Sequence, residues 1–168
     1  MSPQDPTPSP SPTIPAPGSA ATTAGDPGAG PHLWSCFVPG VPIAKKRPRF
    51  TTINGHARAF NCQETEEGKF RWELLREWGQ RTPLTGPLSI TVTFEMPIPK
   101  GASKKQAARM AAKTVSHIKK PDLDNLVKFV KDCANGVLWQ DDCQVVILKA
   151  SKHYSATPGT YIHVRELA

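Results

Sequence analysis

The 168-residue sequence is poor in cysteine, and its few cysteines form no framework for disulfides or zinc. The four cysteines show no CxxC pair and no zinc-type spacing with the five histidines. Free cysteine is usually a buried residue and stays reduced inside cells. We therefore predict reduced thiols in the core at all four positions, Cys36, Cys62, Cys133 and Cys143.

Long apolar runs are also absent. No stretch approaches the roughly 18 consecutive apolar residues that a membrane span requires. The N-terminal segment lacks both the basic region and the continuous apolar region of a signal peptide. These absences predict a cytosolic protein with no membrane partner.

Basic residues are missing from the first 31 positions, which hold about half of the 18 prolines and only two charges, Asp5 and Asp26. Such a segment buries too little apolar surface to offset its ordering entropy. We predict a disordered Pro-rich tail over 1–31 and one folded domain over 32–168. That domain holds all 21 lysines and arginines and 12 of the 14 acidic residues, a net charge of +9. A domain this basic is expected to meet a polyanion.

The spacing of apolar residues in the rest of the chain predicts an α+β fold, a small mixed sheet packed with helices. The clearest strand is 88–96, where apolar residues alternate, and the clearest helix begins at Asp122. The other predicted strands are 33–38, 144–150 and 161–165, with a basic edge segment over 43–50 and a hairpin turn at Asn54-Gly55. The other predicted helices are 63–80 and 103–113, and the helix from Asp122 is expected to stop at Asn135-Gly136.

A group of aspartates and lysines around the start of that helix carries the chemical information. Asp122 and Asp124 stand two residues apart where a loop passes into the helix, and Asp141-Asp142 would supply further carboxylates from a separate element. Carboxylate oxygens suit a hard divalent cation. The lysines on both sides are natural for a site that also holds an anionic phosphodiester backbone.

Each of these residues also has an ordinary structural explanation. Asp122 stands where a helix N-cap belongs, and Asp124 could merely complement the helix dipole. The Asp141-Asp142 pair could be a solvated turn before a strand. Lys128 could simply pair with Asp124 and Asp132, each four residues away on the same helix. Capping explains neither the third acid nor the flanking lysines, and for this reason we favour the functional interpretation.

Two segments resemble motifs of the RusA family of Holliday-junction resolvases, which includes many phage and prophage members. Residues 119–154, KKPDLDNLVKFVKDCANGVLWQDDCQVVILKASKHY, match the family's Asp-x-Asp-Asn-Leu-x-Lys pattern and the Asp-Asp pair that follows a glycine. Residues 40–49, GVPIAKKRPR, are similar to the family's first-strand motif. The resemblance covers most of residues 34–165 and leaves the Pro-rich tail outside.

This resemblance implies a metal-dependent endonuclease that cuts branched DNA such as the four-way junction. The implied cofactor is Mg²⁺, or Mn²⁺ in its place. The implied catalytic residues are Asp122, Asp124, Asp142 and Lys128, and the three aspartates would bind the metal. A resolvase of this family works as a homodimer with one active site per subunit. The pairing surface could be the helix 63–80 or an exposed strand edge.

Other residues receive supporting roles in this interpretation. Asp132, Asp141 and His117 are candidates for contacts behind the metal ligands. The candidate DNA contacts are the basic residues of the first motif and of the loop before Asp122, namely Lys45, Lys46, Arg47, Arg49, Lys119 and Lys120. Trp139, two residues before the acid pair, is either a core residue or a base-stacking side chain.

Two other classes of function stay open from the sequence. A non-catalytic nucleic-acid-binding module would use the same basic surface and tolerate loss of Asp122 or Asp124. An interaction protein would be recruited through the Pro-rich tail, in which we find no strong docking motif.

Overall fold

The computed structural model describes residues 34–47, 49–53, 56–60 and 62–167, of which 49–53 and 56–60 are described by their backbone alone. The predicted tail, Leu33 and the turn at Asn54-Gly55 lie outside these ranges. The boundary between tail and domain therefore stays a prediction. Within the described ranges, no helix is long and apolar enough to cross a membrane.

The described elements form an α+β fold, as predicted, with a four-stranded mixed sheet and three helices. The strands of this sheet are β1 (Trp34–Pro39), β4 (Leu88–Pro97), β5 (Val145–Ser155) and β6 (Gly159–Glu166). Their order in the sheet is β1-β6-β4-β5, in which β4 and β5 run parallel and the other neighbours run antiparallel. The helices are α1 (Glu64–Trp78), α2 (Lys104–Ala111) and α3 (Leu123–Ala134).

The basic segment predicted over 43–50 forms no edge of the four-stranded sheet. Its residues up to Arg47 form no strand, and the chain then enters a separate hairpin of β2 (Arg49–Ile53) and β3 (His56–Phe60). The predicted hairpin is confirmed by the antiparallel pairing of these two strands. The loop before it lies beside α3, because the Lys45 N–H donates to the Asn125 carbonyl at 2.9 Å.

The core lies between one face of the sheet and helices α1 and α3. Alternate residues of β4, from Leu88 to Phe94, are fully buried, which is the result that the period of two predicts. Phe70 of α1 meets Phe129 of α3 edge to face, with ring centroids 5.4 Å apart. Trp139 is fully buried in the same cluster, so it is a core residue and does not stack on bases.

The cysteine prediction is correct in part. All four thiols are free, and Cys36 and Cys133 are buried. Burial raises the pKa of each of these two thiols to about 12, so they stay protonated. Cys62 is only half-buried and Cys143 is exposed, so the prediction of a core thiol is wrong for Cys143. Cys143 belongs to the turn that carries the acid pair, where the side chains face solvent.

Candidate active site

Helix α3 presents its acids and lysines to solvent because its apolar residues occupy the opposite face. Leu126, Phe129 and Val130 are almost fully buried against the sheet and α1. Asp124 and Lys128 are exposed on the other side of the helix. This amphipathic pattern is what the sequence predicts. The helix also ends where predicted, because Gly136 follows it with a φ of +71°, a left-handed conformation that favours glycine.

The exposed face of α3 borders a groove of about 650 Å³. Asp124, Lys128 and Asp132 line it from α3, and Asp142 lines it from the 3₁₀ turn Asp142–Gln144 that precedes β5. The groove therefore brings together three of the four predicted catalytic residues. Its apolar lining consists of Leu123, Val127, Leu148 and Ala150.

Asp122 is the N-cap residue of α3 by position, but its side chain makes no capping hydrogen bond. It is not among the residues that line the groove. Neither Asp122 nor Asp124 forms a hydrogen bond or ion pair with another described side chain. The capping interpretation therefore accounts for the place of Asp122 in the chain and leaves its carboxylate available to a ligand.

Asp142 lies beside Lys131, whose Nζ atom is 3.3 Å from the Asp142 Oδ2 atom. Lys131 also lines the groove, and the sequence interpretation did not select it. The sequence could have indicated Lys131, because this residue follows Asp124 by seven positions and therefore lies on the same face of the helix.

In the part of the chain that the structure describes, no three His, Cys, Asp or Glu side chains are grouped closely enough to hold a metal ion. The type of donor nevertheless suits a hard divalent cation, because the candidate ligands are exposed carboxylates and two of them have no protein partner among the described residues.

Asp141 supports the turn that carries Asp142. Its carboxylate accepts the Cys143 backbone N–H at 2.9 Å, and the Gln144 side-chain oxygen accepts the Asp141 backbone N–H at 2.8 Å, which closes the turn. The Gln144 Nε2 atom donates to the carbonyls of Leu84 and Gly86 and so ties the turn to the segment before β4. The hydrogen bond from the Cys143 backbone lowers the pKa of the Asp141 carboxyl. Asp141 thus stabilises the turn that carries Asp142, and its predicted place behind a metal ligand stays a prediction.

Asp132 does form an ion pair, although Lys128 is not its partner. Lys45 lies between Asp132 and Glu67, with its Nζ atom 2.8 Å from each carboxylate. Burial alone would lower the pKa of Lys45, but the hydrogen bonds and charges of Asp132 and Glu67 outweigh it and raise the pKa. The ammonium group of Lys45 is thus engaged by protein acids, which argues against its predicted role as a phosphate contact.

The other predicted DNA contacts differ in their surroundings. Lys46 pairs with Glu66 at 3.4 Å, and the pair is largely exposed. Lys119, Lys120 and Arg47 are exposed. The side chain of Arg49 lies outside what the structure describes.

His117 stands in the loop before α3 and is buried, so it does not face the groove. Its ring packs on Tyr154 with centroids 4.5 Å apart. Nearby, the Lys152 Nζ atom donates to the carbonyls of Lys119 at 2.9 Å and Pro121 at 2.7 Å. Lys152 was not predicted, and no local pattern marks it, because strand β5 brings it to this loop from 31 residues away.

We expect the pKa of His117 to lie below the ordinary value for histidine. Burial, and then the charge of Lys152, lower the pKa of His117 from 6.5, so the ring is neutral at pH 7. Below a pH of about 6.5, His117 binds a proton more readily in the unfolded chain than in the folded chain. The free energy of unfolding therefore falls as the pH falls through this range. NMR titration of His117 should show the depressed pKa. Urea unfolding from pH 5 to 8 should lose part of its pH dependence in His117→Gln, and an unchanged dependence would contradict the assignment.

Comparison with known proteins finds a family model and a relative that each cover most of the chain. A family model described as endodeoxyribonuclease RusA matches residues 39–165, which include every residue of the groove. The uncharacterised protein YqaN of Bacillus subtilis (strain 168) is 36% identical over 134 residues, an alignment that covers 78% of this chain and 94% of that protein.

Proposed function

Because the chain belongs to the RusA family of endodeoxyribonucleases, we propose that it cuts branched DNA, with the four-way Holliday junction as its substrate. The observation that carries this proposal is the exposed face of α3. Asp124 on this face and Asp122 at its N-terminal end have no partner among the described residues, and Lys128 lines the groove beside Asp124 with no described ion pair. A helix face that served only stability would be expected to pair these charges.

A divalent cation is the cofactor that this donor set would take. Asp122 and Asp124 would hold Mg²⁺, or Mn²⁺ with the same oxygen ligands, and substrate phosphate oxygens would complete its coordination. When bound, the ion would supply a water of lowered pKa and stabilise the negative charge of the phosphoryl group. Asp142 would bind the ion or position that water, and the neighbouring Lys131 would fix its carboxylate.

Other residues in and around the groove would act on the DNA strand or support the site. Lys128 would stabilise the charge that develops on the phosphoryl oxygens during hydrolysis. Asp141 would hold the turn that places Asp142, and the pair of Lys45 with Asp132 would fix the loop beside α3. Lys119 and Lys120, exposed just before Asp122, would contact backbone phosphates.

A four-way junction has two symmetric cleavage points, so the enzyme would work as a homodimer that nicks both. It would act where recombining DNA is found, in the cytoplasm of a bacterium or of a phage-infected cell.

Cleavage of a labelled, mobile four-way junction with and without Mg²⁺ tests this proposal, with a linear duplex as the control substrate. We expect paired, symmetric nicks in the junction that need the metal, and little cutting of the duplex. Salt-sensitive binding of the junction without any cutting would overturn the proposal and favour a non-catalytic nucleic-acid-binding module.

A further inference from the structure

Ile118 is far more exposed than the other large hydrophobic residues described. Its side chain is 85% exposed, and Val146 follows at 61%. Single exposed hydrophobic residues are common on protein surfaces and need no explanation by themselves. Ile118 differs because the residues on both sides of it are held by contacts and because it belongs to a strongly basic stretch of the sequence.

The residues on both sides of Ile118 are held in place by contacts with strand β5. His117, immediately before it, is buried against Tyr154. The carbonyl of Lys119, immediately after it, accepts a hydrogen bond from the Lys152 ammonium at 2.9 Å, as does that of Pro121 at 2.7 Å. The side chain therefore cannot turn inward without breaking these contacts. Isoleucine is also stiff at χ1, so little conformational entropy would be lost if a ligand enclosed it.

The charge around Ile118 indicates the kind of ligand. Residues 96–121 contain seven lysines and arginines and no acidic residue. Lys119 and Lys120 are exposed and form no ion pair with a described residue, and α2 has no buried side chain and no acid in its first turn. A basic surface with one projecting apolar side chain is what DNA-bending proteins use when they insert a wedge between base steps.

We propose that Ile118 is such a wedge and enters the base stack at the branch point of the DNA. This inference rests on the proposed function, because it places Ile118 four residues before Asp122, next to the strand to be cut. Unstacking costs least where stacking is already interrupted, and the branch point of a junction is such a place. The wedge would therefore select branched DNA over a linear duplex and would hold the branch point close to the groove.

The test uses the full chain and a four-way junction with 2-aminopurine at its branch point, in buffer without divalent ions so that no cutting occurs. We expect the fluorescence to rise when the wild-type protein binds, because insertion unstacks the labelled base. Ile118→Ala should lose this rise and, with Mg²⁺ present, should cut the junction roughly tenfold or more slowly, the loss expected from one buried isoleucine side chain. Ile118→Met, which keeps apolar bulk, should retain most of both effects.

Val41→Ala is the matched control, because Val41 is 58% exposed and does not line the aspartate groove. An unchanged fluorescence rise in Ile118→Ala would overturn the proposal. So would an equal loss of binding to junction and linear duplex, or a change in the mass of the DNA-free protein by light scattering, which would make Ile118 a protein contact. A wild-type protein that neither binds nor cuts the junction would instead overturn the proposed function, and the inference with it.

Discussion

Asparagine variants of Asp122 and Asp124 should fold and bind the four-way junction like the wild-type protein but cut it at least about a thousandfold more slowly. Asparagine keeps the size of the side chain and removes the negative charge that a divalent ion needs. Loss of a metal ligand removes several kcal/mol of charge stabilisation, which corresponds to this factor in rate. Junction cleavage under single-turnover conditions, over a range of Mg²⁺ concentrations, measures the loss directly.

Asp122→Asn separates the catalytic role from capping. Asparagine is as good an N-cap as aspartate, and the Asp122 side chain makes no capping hydrogen bond in any case. The free energy of unfolding should therefore stay within about 0.5 kcal/mol of the wild-type value, as for ordinary surface substitutions. Urea denaturation checks this expectation.

Glu77→Gln provides the matched control for these variants. It removes one carboxylate charge from α1, where Glu77 pairs with Arg76 at 2.9 Å, and it does not touch the groove. Cutting by this variant should equal that of the wild-type protein. Full activity in Asp122→Asn beside an inactive Asp124→Asn would show that Asp122 is not a metal ligand.

The fold follows from the sequence where local periodicity and burial agree. Strand β4 and helix α3 were predicted nearly to their ends, because one face of each is packed in the core and the other is polar. Strand β5 runs to Ser155, five residues beyond the predicted end. In β5 buried and exposed residues do not alternate as they do in β4. Strand β5 lies at the edge of the sheet, and residues 146–149 are exposed whichever way their side chains point.

The site was predictable where its residues are neighbours on one helix. Asp124, Lys128 and the turn at Asp142 reach the same groove, as the spacing along the chain suggests. The partners of Lys45 could not be read from the sequence, because Glu67 and Asp132 come from two different helices. The contacts of Lys152 with the loop before α3 depend in the same way on the parallel pairing of β4 and β5.

Lys128→Met should lower kcat for junction cleavage by about a hundredfold while changing KM only slightly, because its charge would act mainly in the transition state. The structure argues against the alternative in which Lys128 only stabilises its helix. The side chain is exposed, it forms no ion pair with a described residue, and Asp132, one of its expected partners, is paired with Lys45. Loss of Lys128 should therefore leave the free energy of unfolding unchanged, and thermal unfolding checks this point.

A general effect of charge must be separated from a contact in the groove. Lys69→Met is the matched variant, because it removes one exposed lysine from α1 and leaves the aspartate groove intact. Both variants lose the same long-range attraction to DNA, which added salt screens. Only Lys128→Met should lose kcat at every salt concentration, and Lys128→Arg, which keeps the positive charge, should recover part of it. Equal rates for Lys128→Met and Lys69→Met would mean that Lys128 attracts DNA without taking part in the cleavage step.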